Sequence, residues 1–296
     1  MGAAIVTFGE CAQAAGRLAD ALGLPCAEVE LRRFPDGESL VRVPPSPPTA
    51  ILYRSLDDPN AKLVELVLAA AALRENGARR VLLVAPYLAY MRQDMAFRPG
   101  EAVSQRVIGQ LLAAHFDALL TVDPHLHRIE RLDQAVPDIP AISLSAAPVL
   151  ASALNDAELL VGPDSESRQW VEAIAAPRRL EVLIGEKQRN GDREVAVTIQ
   201  GIERAAGRSV VLVDDVISSG MTLVAAAQLL KQAGARSIEV VATHCLASRE
   251  DIARLHAAGI SRIRATDSVP GPLGCLPLTQ LLAAALEPQL AAIALR

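Results

Sequence analysis

Residues 210–222, VVLVDDVISSGMT, join an apolar run, two adjacent acids and a turn rich in hydroxyls and glycine. The run predicts a buried strand and the following TLVAAAQLLKQAG a helix, so the turn falls at a helix N-terminus. Backbone N–H groups point outward there beside the positive end of the helix dipole, which suits an anion. Ser218, Ser219 and Thr222 supply hydroxyl donors, and Gly220 allows close approach of the backbone to a ligand, with Met221 between them. Asp214 and Asp215 would repel a phosphate but suit the vicinal hydroxyls of a sugar or a magnesium-bound water. The whole string therefore describes a pocket for a phosphorylated sugar. A purely structural alternative is that one of the aspartates caps a turn and Ser218 caps the helix.

Four further stretches carry concentrated polar chemistry, and a fifth reads as a turn. Asp123-Pro124-His125-Leu126-His127 ends an apolar run, but a zinc site needs three or four ligands, and no cysteine or third histidine lies near in sequence. Gly162–Arg168, GPDSESR, follows an apolar run and sets two acids beside one arginine. Residues 186–194, EKQRNGDRE, have the composition of a mobile surface loop. They contain Lys187, one of only three lysines among 29 basic residues; Lys62 and Lys231 fall in helical stretches and read as solvated. Arg92-Gln93-Asp94 follows a predicted strand and so sits at the carboxyl end of a sheet, where α/β folds bind ligands, although by itself it is also a plain charged loop. Phe34-Pro35-Asp36-Gly37-Glu38 is the turn, since Pro-Asp-Gly presets φ and then permits a left-handed residue.

The elements that must position these residues are legible in the hydrophobic pattern. Runs at 81–85, 118–122, 159–161, 182–184, 210–213 and 238–242 read as strands buried on both faces, alternating with Ala- and Leu-rich helices. That alternation predicts an α/β protein with parallel sheets. AALRENGARRVLLVA at 71–85 echoes QLLKQAGARSIEVVA at 228–242, an offset of 157 residues in a chain of 296. In each copy a glycine is placed to end a helix in the left-handed conformation before the chain re-enters a strand. An offset near half the chain is what two similar domains produce, and the proline-bearing stretch 136–148 supplies the boundary, giving domains 1–145 and 146–296.

Composition narrows the partners. A formal net charge of −5 argues against sequence-independent affinity for nucleic acid or an anionic membrane. No apolar run approaches the ~20 residues of a membrane span. The first ten residues lack a basic n-region and long apolar stretch, and four cysteines scattered singly suggest neither a disulfide framework nor a zinc ribbon. The expected setting is cytoplasmic.

The 210–222 string resembles the phosphoribosyl pyrophosphate (PRPP) loop of the type I phosphoribosyltransferases. FPDGE, PYLAYMRQD, FRPGEAVS, TVDPHLH, GPD, EKQR and VDDVISSGMT also follow the order found in the ribose-phosphate diphosphokinase, or PRPP synthetase, family. The likeness spans nearly the full length, and its FRPGE and EKQR wording is nearer the short archaeal-type form. It implies two similar phosphoribosyltransferase-type domains, each a mostly parallel sheet flanked by helices. It also implies transfer of the diphosphoryl group of ATP to O1 of ribose 5-phosphate, giving PRPP and AMP.

Carried over residue by residue, the resemblance assigns Arg92, Gln93 and Asp94 to ATP, the acid often being structural. It gives Phe34, Asp36, Gly37 and Glu38 to the adenine of ATP bound mainly to a neighbouring subunit, which implies a homo-oligomer with a shared site. His125 and Asp164 fall to magnesium, and His127 is left unassigned. Lys187 and Arg189 fall to the transferring phosphates. Ser218, Ser219, Gly220, Met221 and Thr222 hold the 5-phosphate, while Asp214 and Asp215 orient the sugar. The 162–168 stretch matches the family's pyrophosphate loop in position, which gives an anion to its backbone amides, with Glu166 turned away or meeting magnesium. Met221 stands where relatives usually place a second glycine; Gly220 and the hydroxyls on each side remain, so the phosphate site is expected to survive, with altered backbone geometry at most. A PRPP-consuming phosphoribosyltransferase and a catalytically silent regulatory relative are the other readings; only the synthetase releases AMP from ATP and ribose 5-phosphate.

Overall fold

The computed structural model describes residues 2–45, 47–126, 128–190 and 194–294, with side chains described outside 187–190, 194–196 and 292–294. In chain order the first elements are β1 (Ala3–Thr7), α1 (Ala12–Leu22), β2 (Cys26–Glu28), β3 (Glu30–Arg33), β4 (Ser39–Arg42), β5 (Thr49–Tyr53), α2 (Pro59–Glu75), β6 (Arg80–Val84), α3 (Ser104–His115), β7 (Ala118–Val122) and β8 (Ala141–Leu144). They continue with α4 (Ala147–Ser152), β9 (Leu159–Gly162), α5 (Arg168–Ala175), β10 (Glu181–Asn190), β11 (Glu194–Ile199), β12 (Ser209–Ile217), α6 (Met221–Gln232), β13 (Ser237–Cys245), α7 (Arg249–Ala257), β14 (Arg262–Thr266), β15 (Gly274–Leu276) and α8 (Thr279–Ala294).

The first unit holds a six-stranded sheet of order β2-β1-β5-β6-β7-β8, parallel throughout, and a separate antiparallel pair, β3-β4. The second holds a seven-stranded sheet of order β11-β10-β9-β12-β13-β14-β15, parallel except between β10 and β11. Every residue of β5, β7 and β9 is buried, as strands covered on both faces require. The echoed glycines behave alike. Gly77 and Gly234 take φ of 101° and 83°, and the next amide returns five residues in each case, Ala78 N–H to the Leu73 carbonyl and Ala235 N–H to the Leu230 carbonyl, both at 3.0 Å.

Three expectations need correcting. The first compact unit ends at Ser145, as expected, but it also takes back 268–270 and everything from Leu278 onward, so 146–296 does not hold together as one domain. The reason is α8, which packs on α1 with Leu282 and Leu286, one helical turn apart, both buried. EKQR is strand rather than loop: β10 runs on through it and pairs with β11, Lys187 opposite Val197 and Arg189 opposite Val195. Lys62 is not a solvated residue; only 13% of its side chain is exposed, and Nζ donates to Asp57 Oδ1 at 2.8 Å and to the Ser55 carbonyl at 3.1 Å.

α2, PNAKLVELVLAAAALRE, is apolar almost all round, yet Glu65 within it is completely buried. Its Oε2 meets Arg54 Nη2 at 2.7 Å; Arg54, itself buried, pairs through Nε with Glu10 at 2.7 Å and lies 3.6 Å from the centre of the Phe8 ring. Burial alone would push the Glu65 carboxyl up. Hydrogen bonds from Arg54 and Ser39, the Arg54 charge and a hydrogen bond from Arg33 outweigh it and hold the group below the usual glutamate range. A carboxyl held low stabilises the fold fully above that range and loses the contribution as pH falls through its folded value. Glu65→Met should therefore cost about 3 kcal/mol at neutral pH by breaking one of the two ion pairs of a buried guanidinium, with a flatter acid limb than the parent. Urea midpoints at pH 7 and pH 4 check this, and equal midpoints at pH 7 would refute it.

Candidate active site

In the second unit, β12 does not stop at Val213 as its apolar run suggests. Its ladder with β13 continues through Asp214 opposite Ala242 to Ile217 opposite Cys245, so both acids are held in the sheet. Asp215 is buried and Asp214 half-buried, and the Asp215 N–H donates to Asp214 Oδ1 at 3.0 Å. Burial first, then the negative charges of Asp215 and Asp164 and a hydrogen bond between the Asp214 and Asp215 carboxyls, push Asp214 well above the usual aspartate range. Three carboxylates therefore converge electrostatically where two were expected to orient a sugar.

Beyond Ile217 the chain turns through Ser218 and Ser219 into α6. The helix N-cap is Gly220, at φ 70°, and no side chain caps it, so Ser218 does not play the capping role of the structural alternative. A Cβ on Gly220 would also come within 3.1–3.2 Å of Leu255 from α7. Conformation and close packing both require glycine. Met221, by contrast, is the first helical residue and keeps an ordinary negative φ, so the expected distortion does not arise. Its exposed side chain lies with Sδ 3.7 Å from Arg254 Nη1, which also donates to the Ser219 carbonyl at 3.3 Å and to Asp251 Oδ1 at 2.9 Å. Arg254 is a cation at the turn into α6 that nothing in the sequence of α7 singles out.

GPD follows β9. Asp164 caps the 3-10 turn Ser165–Ser167, its Oδ1 accepting from the Glu166 N–H at 3.1 Å and the Ser167 N–H at 3.3 Å. The Glu166 and Ser167 amides, in the stretch whose backbone was expected to receive an anion, are thus occupied by Asp164, because a short carboxylate at an N-cap reaches them first. Glu166 is exposed. The backbone of Lys187 and Arg189 lies in β10; their side chains lie outside the described residues.

The first unit gathers the other motifs. In FPDGE, Phe34 N–H donates to the Glu38 carbonyl at 2.8 Å and Gly37 N–H to the Phe34 carbonyl at 2.9 Å, with Gly37 at φ 94°. Asp36 Oδ1 accepts from the Glu38 N–H at 3.1 Å, so this carboxylate shapes its own turn. Phe34 opens the turn directly after β3 and is 37% exposed, with the Arg32 guanidinium 5.4 Å from its ring centre. Arg92 is exposed, and Gln93 accepts from Ser104 Oγ at 3.2 Å through Oε1. The Asp94 side chain is 1% exposed and receives Arg128 Nη1 at 2.6 Å, which ties RQD to the segment after β7 that carries half-buried His125. His127 lies outside the described residues.

Residues 3–115 match the family model for the N-terminal domain of ribose phosphate pyrophosphokinase, and residues 138–268 that for the phosphoribosyl transferase domain. The ribose-phosphate pyrophosphokinase of Methanopyrus kandleri is 39% identical over 278 residues, 92% of this chain and 94% of that one. The chain belongs to the ribose-phosphate pyrophosphokinase family. Within this family the Pyrococcus furiosus enzyme is 33% identical over 250 residues, covering 84% of this chain and 88% of its own, which agrees with the archaeal-type wording. The crystal structure of phosphoribosylpyrophosphate synthetase from Mycobacterium smegmatis shares the fold, at a TM-score of 0.82 and 22% identity, covering 99% of this chain and all of that one.

The carboxylate oxygens of Asp164, Asp214 and Asp215 are the hard donors that magnesium prefers, and crowding of like charge is what a divalent cation relieves. Among the described residues, however, no group of three or more His, Cys, Asp or Glu is set to hold a metal ion by itself, so such an ion would be shared with substrate phosphates and water. A raised aspartate pKa means that its contribution to stability is complete below the unfolded value and is lost as pH rises through the folded value. Asp214→Asn should therefore remove part of the fall in the ligand-free melting temperature between pH 5 and pH 8. Parallel melting curves for parent and variant across that range would overturn the charge-crowding account.

Proposed function

We propose that this chain catalyses transfer of the diphosphoryl group of ATP to O1 of ribose 5-phosphate, forming PRPP and AMP. One observation carries the assignment: in a chain of this family, an acid pair held in β12 leads directly into an α6 N-terminus that no side chain caps. In this scheme Ser218, Ser219, Gly220, Met221 and Thr222 receive the 5-phosphate with backbone and hydroxyl donors. Asp214 and Asp215 accept hydrogen bonds from the sugar hydroxyls and fix O1 for attack.

The O1 hydroxyl attacks the β-phosphorus and its proton passes to water, the bond from that phosphorus to the α,β-bridging oxygen breaks, and AMP leaves with the electron pair. Lys187 and Arg189 neutralise charge developing on the transferring phosphate, as the match of EKQR to the family implies. Magnesium, with His125 and Asp164 as its proposed contacts, would neutralise the ATP phosphates. Arg92 and Gln93 bind ATP with Asp94 supporting them, and Phe34, Asp36, Gly37 and Glu38 receive the adenine. The part-exposed Phe34 at the start of the hairpin turn suits a shared site in a homo-oligomer. All four cysteines are free and no helix among the described residues is long and apolar enough to cross a membrane, which suits the proposed cytoplasmic setting.

Incubation with ATP, magnesium and ribose 5-phosphate should yield AMP in step with PRPP; a folded, oligomeric protein that makes none would refute the assignment. Lys187→Ala should lower kcat roughly a hundredfold with the melting temperature and ribose 5-phosphate binding little changed. A rate near that of the parent would remove Lys187 from the mechanism.

A further inference from the structure

Glu65 belongs to none of the motifs above, yet its position is unusual. Arg33 and Ser39 are the cross-strand pair of β3 and β4 that closes the FPDGE turn, one residue before Phe34 and one after Glu38. Both donate to the same atom, Glu65 Oε1, Ser39 Oγ from 2.9 Å and Arg33 Nη2 from 3.3 Å. The other oxygen, Oε2, belongs to Arg54. Arg54 follows β5 directly; its N–H donates to the Val84 carbonyl at 3.0 Å, and its guanidinium is fixed by Phe8 and Glu10, which follow β1. A continuous set of contacts thus runs from the carboxyl ends of the main sheet, through Arg54 and Glu65, to both stems of the turn.

The hairpin has little else to hold it. It is a two-stranded sheet outside the six-stranded one, and all four residues of β3 are exposed. Two strands alone are marginal in water. β4 rests on α2, where Val41 is only partly buried. Apolar contacts of that kind permit sliding, whereas a charged carboxylate that accepts from both stems fixes one orientation. A fully buried ion pair anchored in an otherwise apolar helix is also a poor choice for stability alone, since replacing both partners by apolar residues of similar volume is often neutral.

We propose that Glu65, acting through Arg33 and Ser39, is the positioning residue that sets the orientation of the FPDGE turn toward the nucleotide. This rests on the reading that the turn receives the adenine. Because the base lies remote from the transferring phosphate, misorientation is lost binding rather than lost chemistry, and it appears in KM for ATP.

Arg33→Ala/Ser39→Ala breaks the clamp on its solvent side and leaves the Arg54–Glu65 pair intact. It should raise KM for ATP roughly tenfold, the loss of one charge-assisted hydrogen bond, with kcat and KM for ribose 5-phosphate within about twofold of the parent. Amide hydrogen exchange at 30–42 should quicken, and the light-scattering mass should not change. Arg33→Lys/Ser39→Thr, which keeps both donors, should restore the ATP KM. Phe34→Ala, assayed alongside, tests the underlying reading. If Phe34→Ala raises KM for ATP and the double alanine variant does not, the clamp is overturned while the role of the hairpin stands. If neither does in an active enzyme, the adenine role fails and the clamp with it. Unchanged exchange at 30–42, or a KM change accompanied by loss of mass, also overturns the proposal.

Discussion

Parallel strands cannot be joined by tight turns, so each must be followed by a crossover, and the loops at the carboxyl ends of the strands collect along one edge of the sheet. Nearly every polar motif in this chain sits at such an end. RQD follows β6, DPHLH follows β7, GPD follows β9, and the hydroxyl-bearing turn follows β12. The apolar strands, buried on both faces, fix where those loops begin, and the chemistry occupies what the sheet leaves exposed. Lys187 and Arg189 follow the same logic by another route: β10 outruns its parallel neighbour and continues as an antiparallel ribbon with β11.

Buried carboxylates have two opposite uses here. Glu65 is surrounded by donors, which hold its pKa low and make it a fixed point in the fold. Asp214 is withdrawn from water and faces the charges of Asp215 and Asp164, which together hold its pKa high. The first arrangement adds stability to the charged form; the second costs stability once the group ionises. Local geometry decides which is which: Glu65 lies among Arg54, Arg33 and Ser39, whereas Asp214 shares a strand with Asp215 and feels the charge of Asp164 after β9.

The departures from the family's usual wording have simple structural consequences. Methionine at 221 is accommodated because Gly220, not Met221, takes the left-handed conformation and holds the position where a Cβ would crowd Leu255. Glu166 stays exposed beside a turn whose amides Asp164 already holds. Both positions depend on the backbone around them more than on the residue itself.

Much of this is legible in the sequence. Period and β-branching locate the central strands, and Gly77 and Gly234 mark matching helix ends because the left-handed conformation they adopt stops a helix and lets the chain re-enter a strand. The order of the motifs points to the family. Other features depend on partners far apart in the chain. Asp214 and Asp164 meet only when β9 and β12 pair, Arg254 reaches the turn into α6 only through the packing of α7, and α8 leaves the domain that precedes it to cover α1. Glu65 shows the limit most plainly: in sequence it is one acid bounding an apolar run, and only the fold brings Arg33, Ser39 and Arg54 around it. Sequence determines local propensity and motif chemistry, because these act between near neighbours. Tertiary structure alone decides which distant charges neutralise one another, because electrostatic energy depends on separation in space and on exclusion of water.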